Sequence, residues 1–212
     1  FYPGYMSPDS VANLTQGRDG YFYDINSPVM SYFWGILDRL YAGPALMLIF
    51  HNLIFWSGCA IFWHSAKGRS AKLAISLVIL GFLPQFLSQL STIWKDVGLA
   101  ASLFLVASLI YYSVSKNSGV FLFITPVFLF YGYAMRLNAF PAVIPIIIWT
   151  GVVIQRIYFP ALKKHFKIAF VAGFSVFYFA FLSLGVNFVN KELCEGRTVY
   201  PFQQVMIYDL AA

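Results

Sequence analysis

The chain has 212 residues, of which 60% are hydrophobic, 20% aromatic and only 10% charged, with 14 Lys and Arg against 8 Asp and Glu. A soluble domain carries about 25% charged residues, so this composition excludes one and marks an integral membrane protein. The net charge of +6 calls for no nucleic acid, because it resolves into a difference between the two sets of loops.

Residues 1–42 are too long and too patterned for a connector and read as an outer loop holding two short interfacial helices. Ser7 is suited to N-cap the first, with Pro8 at the first helical position and Asp9 in the first turn, followed by Val11, Leu14 and a stop at Gly17. The second starts at Ser27–Pro28, is aromatic and broadly apolar, carries Asp38 and Arg39 near its end, and stops at Gly43–Pro44. Lying along the interface, it is expected to pin the first helix against the membrane.

Residues 43–190 form the transmembrane region. Stretches free of Asp, Glu, Lys and Arg run through Gly43–Ala66, Leu73–Trp94, Val97–Ser115, Asn117–Met135, Leu137–Gln155 and Ile168–Asn190. Each is close to the roughly 20 residues that a helix needs to cross hydrocarbon about 30 Å thick. The expected fold is therefore an all-α, polytopic bundle of six transmembrane helices. Reading 117–155 as one helix would make it about 58 Å long, near twice the bilayer core, so a hairpin turn at Arg136 is expected instead. Residues 191–212 begin an outer segment in which Phe202–Ala212 reads as a helix. Because the chain starts without Met and stops inside that pattern, a preceding span and a following outer portion are expected.

One alternate set of loops holds Lys67, Arg69, Lys72, Lys116, Arg156, Lys163, Lys164 and Lys167 without a single acid, and is assigned to the cytoplasm. The other holds all 8 acids: Asp9, Asp19, Asp24, Asp38, Asp96, Glu192, Glu195 and Asp209. Cys59 within a span and Cys194 in an outer loop differ in depth, which argues against a mutual disulfide.

The alternation forces Asp9, Lys95, Asp96 and Arg136 to similar depth on the acidic face. Each has a plain reading beside the functional one. Asp9 complements a helix dipole or acts in catalysis; the Lys95–Asp96 loop, next to Trp94, anchors the interface or lines a site. Arg136 sits in a turn with little room to leave the interface. His51 and Asn52 suit an interhelical hydrogen bond, as do Gln85 and Gln89 beside Pro84. His64 and His165 near the opposite ends suggest nothing. Asn13–Leu14–Thr15 matches a glycosylation sequon, and no phosphate loop, dinucleotide fingerprint, metal-spaced cluster or serine elbow is present.

In order along the chain, YPGYMSPDS, GRDGYFYDINSPVMSYFWGILDRLYAGP, IWKDVGLAASL, YGYAMRLNAFPAVIP and FQQVMIYDLAA resemble the bacterial branch of the GT-C glycosyltransferase superfamily. These multi-span enzymes use polyprenyl-phosphate-linked sugars and are akin to protein O-mannosyltransferases and lipid A aminoarabinose transferases. The resemblance implies that Asp9 is the acidic residue acting at the acceptor, that Asp96 is the second acidic site, and that Lys95 and Arg136 lie at the donor phosphate. Many relatives carry a paired Asp-Glu where Asp9 is followed by Ser10, which weakens a metal inference. Asp96 is expected to orient Lys95 or to help hold a divalent cation with Asp9; two isolated carboxylates leave the metal open.

The implied reaction is inverting sugar transfer from a polyprenyl phosphate to an acceptor hydroxyl of a glycan, lipid or protein, with Asp9 as general base. The implied location is the bacterial cytoplasmic membrane with the active face outside. A flippase or transporter of lipid-linked substrates, or a membrane assembly subunit, are the alternatives. The spans carry no ionisable Asp, Glu, Lys or Arg, which counts against ion coupling.

Overall fold

A computed structural model describes residues 2–66 and 70–197; the expected helix over Phe202–Ala212, together with Lys67, Arg69 and Asp209, lies outside the described residues. Among the described residues nine α-helices follow in order: α1 Pro8–Asp19, α2 Pro28–Leu40, α3 Ala45–Ala66, α4 Ala71–Gly81, α5 Pro84–Leu90, α6 Lys95–Lys116, α7 Thr125–Met135, α8 Phe140–Tyr158 and α9 Lys164–Leu193. The described residues form no β-strand, and the protein is all-α.

The count of spans differs from the expected six. Helices α3, α6, α8 and α9 are each long and apolar enough to cross a membrane, and the bent pair α4–α5 makes a fifth if it counts as one span. These helices mark a multi-pass membrane protein. Two proline-related effects account for the difference. The expected span Leu73–Trp94 breaks after Gly81 and bends by 57°. Leu83 precedes Pro84 and is extended at φ −62°, ψ 143°, since a proline ring disfavours the helical conformation of the residue before it. The expected span Asn117–Met135 is a 3₁₀ turn, Val120–Phe123, leading into α7, with Pro126 in the first turn of α7. Asn117 has ended α6 in the left-handed conformation at φ 49°, so the helical stretch Val120–Met135 reaches only about 24 Å. The hairpin at Arg136 is present: α7 ends at Met135, and Leu137–Ala139 form a 3₁₀ turn before α8.

Helix α3 packs mainly on α6, α6 on α7, and α8 on α9. One core joins Val106, Ile110, Leu129, Tyr133, Val143, Ile147, Leu182 and Val186 from α6 to α9. A second joins Leu14 of α1 and Met30 and Trp34 of α2 to Met47, Ile93 and Met135. The first two helices are thus built into the end of the bundle. Apolar residues also cover the outside, with Phe177 72% and Phe188 65% exposed on α9, as a helix facing lipid requires.

Both expected N-caps form. Ser7 and Ser10 make a reciprocal capping box on α1, and Ser27 Oγ accepts from Met30 N at 3.1 Å while donating to Ala134 O at 2.8 Å. The stop at Gly17 is corrected: α1 continues to Asp19, and Gly20 ends it at φ 71°. Gly17 is instead a crossing point. A Cβ there would lie 2.4 Å from Ser31 O and 2.9 Å from Gly35 N, so only glycine lets α1 and α2 touch backbone to backbone. Arg18 clamps the far end of the crossing with Nε and Nη2 donating to the two carboxylate oxygens of Asp38 at 2.9 and 2.8 Å.

Candidate functional site

The N-terminal segment reaches the loop before α6 through backbone hydrogen bonds. Tyr5 N donates to Ser91 O at 2.9 Å and Ile93 N donates to Tyr5 O at 3.0 Å, an isolated parallel bridge. Ser10, 1% exposed, adds a side-chain bond from Oγ to Ile93 O. These three contacts hold the first turn of α1 over the first turn of α6. Asp9 and Lys95, each in the opening turn of its helix, are therefore brought side by side.

Lys95 Nζ lies 3.6 Å from Asp9 Oδ2. One residue on, Asp96 Oδ1 accepts from Arg136 Nη1, and Arg136 Nε donates to Asn138 Oδ1 at 3.1 Å. The four residues singled out by depth thus form two ion pairs, cross-linking α1 to α6 and α6 to the turn after α7. Lys95 is the more sheltered cation, 22% exposed against 43% for Arg136, while Asp9 is 64% exposed. Ion pairs this open contribute about 0–1 kcal/mol. The buried serine bonds and the apolar core therefore do more than the charges to hold the site.

Two cavities meet at Asp96. A polar cleft of about 300 Å³ is lined by Ser7, Asp9, Asn13, Trp94, Lys95 and Asp96. An apolar groove of about 430 Å³ runs between α3, the bent pair α4–α5 and α6, lined by Phe55, Leu80, Phe86, Leu90 and Phe104 among others, with Gln89 and Asp96 as its polar members. The break at Pro84 shapes that groove, because it swings α5 away from the line of α4.

Further segments between and after the helices gather at the same end. Cys194, at the end of α9, feels the charge of Asp24, and the Arg197 guanidinium sits 4.9 Å from the centre of the Tyr21 ring. Burial comes first in pushing the Cys194 thiol up from its ordinary range, with Asp24 adding to the effect. Cys59 and Cys194 are both free thiols.

The remaining candidates take structural places. His51, 1% exposed, shares a 2.9 Å hydrogen bond between Nε2 and the Tyr131 hydroxyl. Asn52 Nδ2 donates to Leu48 O and Leu90 O, both at 2.9 Å, tying α3 to the end of α5. Gln89 enters the apolar groove. His64 stacks on Tyr112 at 6.0 Å. Asn13 is 1% exposed, accepts from Ser31 Oγ at 2.8 Å and faces the sulfur of Met30, so the sequon is not an accessible acceptor.

Ser7, Ser10, Asn13 and Trp94 had no functional reading in the sequence beyond a cap, a sequon and a belt residue. The signal for Ser10 was present in its spacing from Ser7, since a polar residue three positions after an N-cap serine closes a capping box. Its bond to Ile93, 83 residues away, had no local signal. As for a metal, the described residues contain no group of three or more His, Cys, Asp or Glu placed to hold an ion. Asp9 and Asp96 each face a cation of the protein instead. This donor set does not fit a divalent site, and no step is derived through one.

Compared with family models, curated proteins and solved structures, the chain matches none.

Proposed function

We propose that this chain is a membrane glycosyltransferase that moves a sugar from a polyprenyl-phosphate donor to an acceptor hydroxyl at the outer face of a bacterial cytoplasmic membrane. The observation that carries the reading is the junction at Asp96 of a charged cleft with an apolar groove. An amphipathic donor needs both: hydrocarbon walls for the lipid and cations for the phosphate. The lysine-rich, acid-free loops would then face the cytoplasm.

In this reading the acceptor oxygen attacks the anomeric carbon as the bond from that carbon to the phosphate oxygen breaks. The acceptor proton passes to the Asp9 carboxylate, and the lipid phosphate leaves as an anion next to Lys95 and Arg136. The two resting ion pairs supply a coupling. A donor phosphate competes with Asp9 for Lys95 and with Asp96 for Arg136, so its arrival frees the carboxylate that must take the proton. Arg136, with a planar guanidinium, suits a two-point phosphate contact, whereas Lys95 acts as a compact charge.

The bent pair α4–α5 favours a second reading, a flippase for a lipid-linked substrate, because lipid and solute carriers use interrupted helices beside their binding sites. The experiment that separates them uses purified protein in liposomes with a polyprenyl-phosphate sugar and a panel of glycan, lipid and peptide acceptors. Formation of a sugar–acceptor product with release of polyprenyl phosphate supports the transferase. Transbilayer movement of the donor with no product, across the panel, overturns it in favour of the flippase.

A further inference from the structure

The far end of the bundle carries a second groove, between α8 and α9, that the transfer chemistry does not use. It encloses about 660 Å³, with Ile144, Ile148 and Val152 on one wall and Val171, Val176 and Phe179 on the other. Its floor is opened by the small residues Ala172 and Ser175, and the Ser175 hydroxyl is turned back onto Val171 O at 2.7 Å, so it presents little polarity to the groove. Only Gln155 and Lys167 bring polar groups to the lining. Gln155 is buried and donates to Phe159 O at 2.7 Å, which leaves Lys167 as the charged group of the mouth.

Among the described residues no carboxylate is placed to answer that charge. The sequence has no Asp or Glu between Asp96 and Glu192. Glu192 lies near the other end of α9, about 38 Å along the helix from Lys167. Asp96 opens α6 at the acidic end of the bundle. Meanwhile Arg156, Lys163 and Lys164 add three more cations at the mouth's end of the helix pair. An apolar slot with an uncompensated cationic mouth, on a helix whose apolar stretch is only 11% buried, matches a ligand that is hydrocarbon below and anionic above.

We infer that the α8–α9 groove seats one anionic phospholipid, its headgroup on Lys167 and an acyl chain between the two helices. Basic pockets between membrane helices recognise acidic headgroups in this way, each nearby cation adding to the affinity. Such a lipid fills the slot between the two helices and fixes the depth of α9. This site is independent of the transfer reaction and stands or falls without it.

The test is native mass spectrometry of the full chain in detergent, titrated with phosphatidylglycerol and with phosphatidylcholine of the same chains. Retention of one phosphatidylglycerol in preference to phosphatidylcholine is expected, with Lys167→Gln weakening it roughly fivefold. Ala172→Trp, which fills the slot, is expected to abolish retention of the bound lipid. Lys167 is half-buried at the mouth of the groove, in the first turn of α9, and glutamine keeps much of its apolar stem, so the substitution removes the charge while leaving the helix in place. Equal retention of the two lipids, or unchanged phosphatidylglycerol affinity in Lys167→Gln, overturns the assignment.

Discussion

Gly17 and Gly35 meet backbone against backbone where α1 crosses α2: a Cβ on Gly35 would come within 2.4 Å of Gly17 O, and one on Gly17 within 2.9 Å of Gly35 N. No side chain can yield there, because both obstacles are main chain. Gly17→Ala or Gly35→Ala must therefore push the helices apart, at a cost of about 1–3 kcal/mol for overpacking. Since α1 carries Asp9, thermal unfolding of the variants should begin at the N-terminal helices, and site-directed cross-linking between positions 9 and 95 should weaken.

Ser10 tests how the site is held rather than how it reacts. Its hydroxyl reaches Ile93 O from a fully buried position. Ser10→Ala leaves that carbonyl without its side-chain partner and is expected to cost about 1–3 kcal/mol. Under the proposed mechanism the rate of transfer falls while donor affinity changes less, because Lys95 and Arg136 stay on α6 and the α7–α8 turn. A rate and affinity that fall in parallel would place Ser10 in donor binding.

Asp38 gives the fold a pH dependence of known sign. The hydrogen bonds from Arg18 come first in holding its carboxyl below the ordinary carboxylate range, and the Gly43 N–H, 2.7 Å away, adds to this. A depressed native value means that the stabilisation is complete above the unfolded value of 3.8 and is lost as pH falls through the lower native value. Detergent-solubilised protein should therefore lose melting temperature on acidification below about pH 4. Asp38→Asn should be less stable at neutral pH and show a flatter acid limb.

Arg136 separates charge from geometry. Replacing it by Lys keeps the charge and loses the planar fork, whereas Ala loses both and leaves Asp96 without its partner. Donor affinity is expected to fall roughly tenfold in Arg136→Ala, with Arg136→Lys between that and the unsubstituted protein. Binding of a fluorescent polyprenyl phosphate measures both; equal affinity in all three would remove Arg136 from the donor site.

The parts of this architecture that are local in sequence were the legible ones. Ser7–Pro8 and Ser27–Pro28 announce helix starts because an N-cap acts within three residues, and the turn at Arg136 follows from helix length alone. The alternation of loop charge placed Asp9, Lys95, Asp96 and Arg136 at one end, where the structure pairs them. What escaped was set by contacts across the chain. Gly17 reads as a stop because glycine weakens helices, and only the approach of Gly35 shows why α1 passes through it. Hydropathy registers Leu73–Trp94 as one apolar run, being blind to the backbone break that Pro84 imposes. The Tyr5 and Ser10 bonds to residues 91–93 join segments more than 80 positions apart, and with them the cleft beside Trp94 was invisible.

The central claim is that Asp9 takes a proton from the acceptor while Lys95 and Arg136 meet the donor phosphate. It is tested most directly by measuring donor affinity and sugar transfer together in Asp9→Asn. The account predicts that transfer falls by at least about a hundredfold, the usual range for a positioned general base, while the donor binds at least as tightly as before, since Lys95 loses its resting partner. Transfer at the unsubstituted rate in Asp9→Asn would contradict it.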